Sequence, residues 1–221
     1  PAAAKAVEDT AFYRSAVLLS RNDVGFSTEQ FSAPLAEFHA ANQQRLQTFP
    51  DNLLATATHD HKRGEDSRAR LAVLSECAPW YAEQVQQWRR LAAPLRDDPA
   101  IPSAGDELIL YQVLLGSWPL DLGIENTDDY QQRLWQWQQK ALREAKLHSS
   151  WSAPNDVYEQ GVEAFLRRLL LEPAGLTLRT AIHAAAEAIA PAGALNGLAQ
   201  SLLRNTVPGV PDLYQGDEFW D

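Results

Sequence analysis

A short apolar run, Leu53-Leu54-Ala55-Thr56-Ala57-Thr58, ends in His59-Asp60-His61, and Lys62-Arg63 follow at once. A carboxylate at the C-terminal end of a strand can stabilise positive charge developing on a substrate. An imidazole beside it can donate a hydrogen bond to a hydroxyl or a carbonyl. Barrels and open α/β sheets collect their reactive groups at such strand ends. Two other readings of the same residues stand beside this one. Asp is a favoured N-cap, so Asp60 could cap a helix starting near Lys62 or Gly64, with His59 a half-buried turn residue. The charges after it would then be a solvated helix start with Lys62–Asp66 and Asp66–Arg70 pairs. Alternatively, His59 and His61 share one face of a strand and could bind a metal, with His148, His183 and Asp212 as further ligands. Lys62 and Arg63 would repel that cation, and His148 and His183 both fall in helical patterns.

The rest of the chain narrows the chemistry further. There is no G-x-x-x-x-G-K-[ST] or G-x-G-x-x-G phosphate cradle and no G-x-S-x-G nucleophile elbow. A net charge of −10 disfavours nucleic acid and anionic membrane surfaces. The single cysteine, Cys77, has no internal disulfide partner, which fits a reducing cytoplasm. No run approaches the length of a membrane span, and the N-terminus lacks the apolar core of a signal peptide. The absence of methionine suggests a piece of a longer protein. Among the tryptophans, helical spacing makes Trp88 and Trp137 core residues. Trp118, Trp151 and Trp220 lie in loops, where an aromatic face could pack on a sugar.

The elements that must position these groups are mostly helices. Apolar residues recur with a 3.6-residue period from Tyr81 to Leu95, from Tyr130 to Ala145 and from Tyr158 to Leu169. Further helices are predicted near 29–48, 64–77, 104–116, 178–190 and 194–205, with prolines mostly between them. Only 53–60 and the region around Pro211–Tyr214 read as strands. Two isolated strands do not make a stable sheet, so they fit better as staves of a larger barrel or sheet. The fold class is therefore mainly α: a bundle-like helical insertion flanked by two short strands of a larger barrel or sheet. The predicted divisions are 1–60, 61–205 and 206–221.

Five stretches carry a resemblance to a known family. They are AKAVEDTAFYR (4–14), EFHAANQQRLQTFP (37–50), LATATHDHKRGEDSRARLAVLSE (54–76), ALREAKLHSSWSAPNDVYE (141–159) and LNGLAQSLLRNTVPGVPDLYQGDEFWD (195–221). In this order they resemble the maltooligosyl trehalose synthases, of the wider α-amylase group. The resemblance implies an enzyme that converts the reducing-end α-1,4 bond of a maltooligosaccharide to an α,α-1,1 bond. It implies no cofactor, and a trehalose-releasing hydrolase acting next. By the same resemblance His59 and Asp60 close the seventh barrel strand, Asp60 as the transition-state-stabilising carboxylate and His59 as a sugar ligand. PGVPDLYQGDE then belongs to the eighth strand and its loop. The candidate pocket-lining residues are Lys5, Glu8, Asp9, Thr10, Tyr13, Arg14, Lys62 and Arg63. His61 stands where the family has Thr, and Ala6 where it has Gly. No segment matches the nucleophile or acid/base motifs, so the chain alone is expected to be inert. A non-catalytic helical module that binds carbohydrate or protein is the alternative, and a metal-dependent hydrolase the third.

Overall fold

The computed structural model describes residues 9–27, 29–124 and 127–214. Residues 9–14 are helical, and seven α-helices follow among the described residues. They are α1 (Leu35–Thr48), α2 (Glu65–Ala72), α3 (Ala78–Ala92), α4 (Ala104–Ser117), α5 (Asp128–Ala145), α6 (Asp156–Leu171) and α7 (Leu176–Thr206). Two three-residue strands, β1 (Leu53–Ala55) and β2 (Val210–Asp212), pair in parallel with Leu53 opposite Val210 and Ala55 opposite Asp212. The mainly helical expectation with two flanking strands therefore holds. None of the helices among the described residues is long and apolar enough to cross a membrane.

The core gathers the apolar stripes of α2 to α7 around Trp88, Tyr111 and Phe165, all fully buried. Leu19, from the segment before α1, enters the same core. It is tied there by Gln112 of α4, whose Oε1 accepts from Leu19 N and whose Nε2 donates to Ala16 O. Two helix starts are fixed by side chains. Ser103 Oγ accepts from Asp106 N at α4, and Asn155 Oδ1 accepts from Tyr158 N at α6. The Tyr158 hydroxyl joins the two caps by accepting from Ser103 N and donating to Asp106.

Several sequence expectations are corrected. The helix predicted from residue 29 starts at Leu35, because Pro34 disfavours helical backbone at the residue before it. The strand read over 53–60 stops at Ala55, and the second strand is Val210–Asp212 rather than Pro211–Tyr214. The helices predicted on either side of Pro191 are one helix of 31 residues. Proline removes one backbone donor, but burial of the surrounding apolar face outweighs one lost bond. Gly193 lets α2 approach closely: a Cβ there would stand 2.9 Å from the Arg70 Cα. His148 lies just beyond α5, not within a helix, and its ring stacks on Tyr158.

Candidate functional site

The nine residues that follow β1 form a built loop. Thr58 O accepts from His61 N at 3.1 Å, closing a turn with His59 and Asp60 at its centre. His61 Nδ1 accepts from Thr58 N at 3.0 Å and lies 2.9 Å from the Thr58 hydroxyl. A ring nitrogen used this way favours the tautomer protonated at Nε2. Burial, together with the Arg68 cation, lowers the His61 pKa below its ordinary value. The two central side chains project outward: His59 is 75% exposed and Asp60 35%, with Nε2 and Oδ2 3.5 Å apart.

The premises of both local alternatives differ from this geometry. Asp60 does not cap α2, which starts at Glu65 behind an N-cap at Gly64 that makes no side-chain bond. Acidic Glu65 and Asp66 occupy the first turn, where they complement the helix dipole. His59 and His61 do not share a strand face, because both lie in the turn region beyond β1. His183 sits in α7, beside Glu187 and against Trp118. Among the described residues no three His, Cys, Asp or Glu side chains gather in a metal-binding group.

The loop is held from below by a residue that sequence reasoning missed. Asp23 is fully buried. Its Oδ1 accepts from Lys62 N at 2.9 Å and Val24 N at 2.8 Å, and its Oδ2 accepts from Lys62 N and Arg63 N, each at 3.1 Å. One carboxylate thus fixes the peptide two residues beyond Asp60. A lone Asp between Asn22 and Val24 carries no periodic signal, so nothing in the sequence singled it out. A second clamp sits at the strand end. Arg204 of α7 donates Nη1 to the Thr56 hydroxyl at 2.6 Å and to both Glu65 oxygens at 2.9 and 3.1 Å. The Thr56 hydroxyl also bonds Glu65, and Arg68 Nη2 bonds the Thr56 carbonyl.

Of the remaining candidates, Asp9, Tyr13, Lys62 and Arg63 come together. Lys62 Nζ is 2.5 Å from Asp9 Oδ1, so its partner here is Asp9. Burial works against the Lys62 ammonium, but the Asp9 hydrogen bond and the nearby Asp9, Tyr13 and Asp23 charges outweigh it and raise the pKa. Burial raises the pKa of the Tyr13 phenol against the pull of Lys62 and Arg63. Burial also lowers the pKa of Arg63, which Asp23 opposes. Arg14 points elsewhere, donating Nε to the Ala145 carbonyl at the end of α5. Thr10 lies in the helical segment 9–14, and Lys5 and Glu8 lie outside the described residues. A small cavity of about 160 Å³ opens beside the turn, lined by Ala57, Thr58, His61, Lys62, Arg63, Gly64 and Tyr214.

The tryptophan expectations are also revised. Trp118 is buried, donates Nε1 to Leu122 O and meets Tyr130 edge-on, so it offers no open face. Trp151 is exposed, but Arg143 lies 5.0 Å from its ring centre. Trp220 lies outside the described residues. Trp88 is core as expected. Trp137 is only half-buried and borders a cavity.

No protein-family model matches the chain. Two Mycobacterium tuberculosis relatives, from strains CDC 1551 / Oshkosh and ATCC 25618 / H37Rv, are provisionally named maltooligosyl trehalose synthase. Each is 38% identical over 99% of this chain, which covers 27% of the relative. A crystal structure of maltooligosyl trehalose synthase aligns over 99% of this chain and 28% of its own, with TM-score 0.84 and 32% identity. The Arthrobacter ramosus maltooligosyltrehalose synthase structure aligns over 99% and 26%, with TM-score 0.77 and 34% identity. The chain therefore spans about a quarter of the length of the curated relatives it matches.

Proposed function

We propose that this chain, which resembles one segment of the maltooligosyl trehalose synthases from end to end, is the part of such an enzyme that carries its His-Asp turn. The parent would convert the reducing-end α-1,4 bond of a maltooligosaccharide to an α,α-1,1 bond. The observation that carries the reading is 38% identity across 99% of the chain. The strand pairing agrees with it. Two parallel neighbours, one before α2 and one after α7, are what the seventh and eighth staves of a (β/α)8 barrel would leave in this segment. The divisions at 1–60, 61–205 and 206–221 follow from that assignment.

In this reading Asp60 holds its negative charge beside the sugar ring as an oxocarbenium-like transition state develops. His59, exposed and 3.5 Å from Asp60, donates to a hydroxyl of the same sugar. Retaining chemistry also needs a nucleophile and an acid/base about 5–5.5 Å apart. Both would come from the rest of the parent, so the chain by itself is expected to be inactive. Asp9, Tyr13, Lys62 and Arg63 would line the wall that keeps water out while the released glucose turns over and attacks. Lys5 and Glu8 belong to the same proposal, and no cofactor enters it. The product would pass to a trehalose-releasing hydrolase, and a cytoplasmic setting suits the single thiol.

The experiment is Asp60→Asn in the full-length parent, assayed on maltopentaose. The shape is kept and the charge is lost. Turnover should fall about 10²- to 10³-fold with a smaller change in KM, because the interaction strengthens as charge develops. Conversion at close to the normal rate would remove Asp60 from the chemistry.

A further inference from the structure

The turn that carries His59 and Asp60 is fixed one peptide unit at a time. Each unit is planar, so an acceptor on its N–H orients the whole of it. Thr58 O accepts from His61 N and holds the unit that joins Asp60 to His61. The Asp23 carboxylate accepts from Lys62 N at 2.9 and 3.1 Å and holds the next. It also accepts from Arg63 N at 3.1 Å and holds the third. Three consecutive units beyond the Asp60 Cα are thus oriented, two of them by one side chain from the segment before α1. Two adjacent N–H groups need two acceptor atoms on one plane, which a carboxylate has and a hydroxyl lacks.

Asp23 is itself braced. Val24 N donates to its Oδ1 at 2.8 Å. Its neighbour Asn22 donates Nδ2 to Phe12 O at 2.7 Å and to Ser15 O at 3.0 Å, and the Asn22 carbonyl accepts from Arg63 Nη1 at 3.3 Å. Asn22 and Asp23 therefore tie the exit of the turn to the helical segment 9–14. Lys62 repeats the link through its Nζ, which donates to Asp9 Oδ1 at 2.5 Å. We infer that Asp23 is a positioning residue for the reaction, acting through Asp60, with Asn22 as the anchor of the brace. The inference rests on the role given to Asp60 above.

Asp23 is fully buried, so it acts on a substrate only through what it holds. Asp60 is 35% exposed, and in the proposed chemistry its charge must meet a ring that becomes positive only in the transition state. A misplacement of about 1 Å in such a group can cost on the order of 10²-fold in rate. Asn at position 23 would offer one acceptor oxygen and turn an N–H toward the amides of Lys62 and Arg63, driving the exit of the turn off its seat. A purely structural brace would lower stability and leave the turnover of folded enzyme unchanged.

The test is a double-mutant cycle in the full-length parent, assayed on maltopentaose at a temperature where circular dichroism shows each variant folded. Asp23→Asn should lower kcat about 10- to 100-fold and leave KM within about threefold. In the Asp60→Asn background the same substitution should cost little further turnover, because the group it positions has already lost its charge. Should Asp23→Asn not fold, Asn22→Ala is read in its place. It keeps the Asp23 carboxylate and removes the anchor, and a kcat loss of about three- to tenfold is expected, again absent from the Asp60→Asn background. Normal turnover in the folded variant, a loss confined to KM, or a loss repeated in full in the Asp60→Asn background would each overturn the inference. The catalytic proposal fails by a different result. Asp60→Asn alone proving silent would end that reading and this one with it, whereas a costly Asp60→Asn beside a silent Asp23→Asn would end this one only.

Discussion

At the residue scale the His59–Asp60 turn is a projecting pair on an immobilised base. Asp23 supplies the base, since it accepts from the backbone of Lys62 and Arg63 while wholly buried. Asp23→Asn keeps the volume but replaces one acceptor oxygen by a donor facing N–H groups. The expected loss is about 1–3 kcal/mol, the usual cost of an unsatisfied buried donor, read as a lower urea midpoint. His61 adds a pH dependence of known sign. Its pKa is depressed in the folded chain, chiefly by burial. The unfolded chain therefore takes up the proton first as pH falls, and folding stability drops with it. That contribution is complete above the ordinary histidine range and is lost as pH falls through it toward the lowered value. His61→Gln should flatten this part of the stability–pH curve, measured by denaturant titration at stepped pH.

At the element scale, ion pairs join helices that the sequence presents separately. Glu159 of α6 accepts from Arg143 of α5 at 2.7 and 2.8 Å, from Gln139 at 3.1 Å, and from Ser149. The Arg143 hydrogen bonds lead in holding its pKa down to about 2, with Ser149 and Gln139 helping, against the opposing effect of burial. A depressed carboxylate contributes stability above its unfolded pKa and loses it as pH falls toward the folded value. Acid unfolding should therefore carry a component between about pH 4.5 and pH 2 that Glu159→Gln removes. The Arg204–Glu65–Thr56 clamp joins α7 to the strand end. Arg204→Met should cost about 3–5 kcal/mol by leaving Glu65 largely buried without its cation, seen in thermal or urea unfolding. The helices themselves were legible, because a 3.6-residue apolar period survives wherever one face meets a core. Pro191 misled, since a local breaker signal cannot register how much surface the long helix buries. The extent of β1 was illegible for the opposite reason. A threonine alternation continues to Thr58, but pairing ends where β2 ends. His59 and Asp60 were visible as residue types at a chain position. Asp23 was not, because its role exists only once residues 23 and 62 are side by side.

At the scale of the whole molecule several large apolar side chains stay exposed. Leu195, Leu198 and Leu202 follow helical spacing on α7 and are 64–70% exposed, and Leu35, Phe49 and Leu53 are 67–72% exposed. A groove of about 610 Å³ runs between α1, β1 and the end of α7. Under the proposed assignment the rest of the parent would cover the exposed leucines of α7. The isolated chain should therefore self-associate as concentration rises, and Leu198→Lys with Leu202→Lys should return it to monomer in sedimentation velocity. The parallel pairing of β1 with β2 has a further consequence, in time rather than space. Those strands bracket α2 to α7, and their contact closes the loop from Ala55 to Val210. Closing so long a loop before its interior is compact is entropically unfavourable, and a parallel pair of three residues gives little in return. The helices should condense first and bring the strand ends together as a late event. Pulse-labelled hydrogen exchange should then find amides of α4 and α6 protected before those of Leu53–Ala55. The turn at His59–Asp60 would thus take its final shape only after nearly all of the chain has folded.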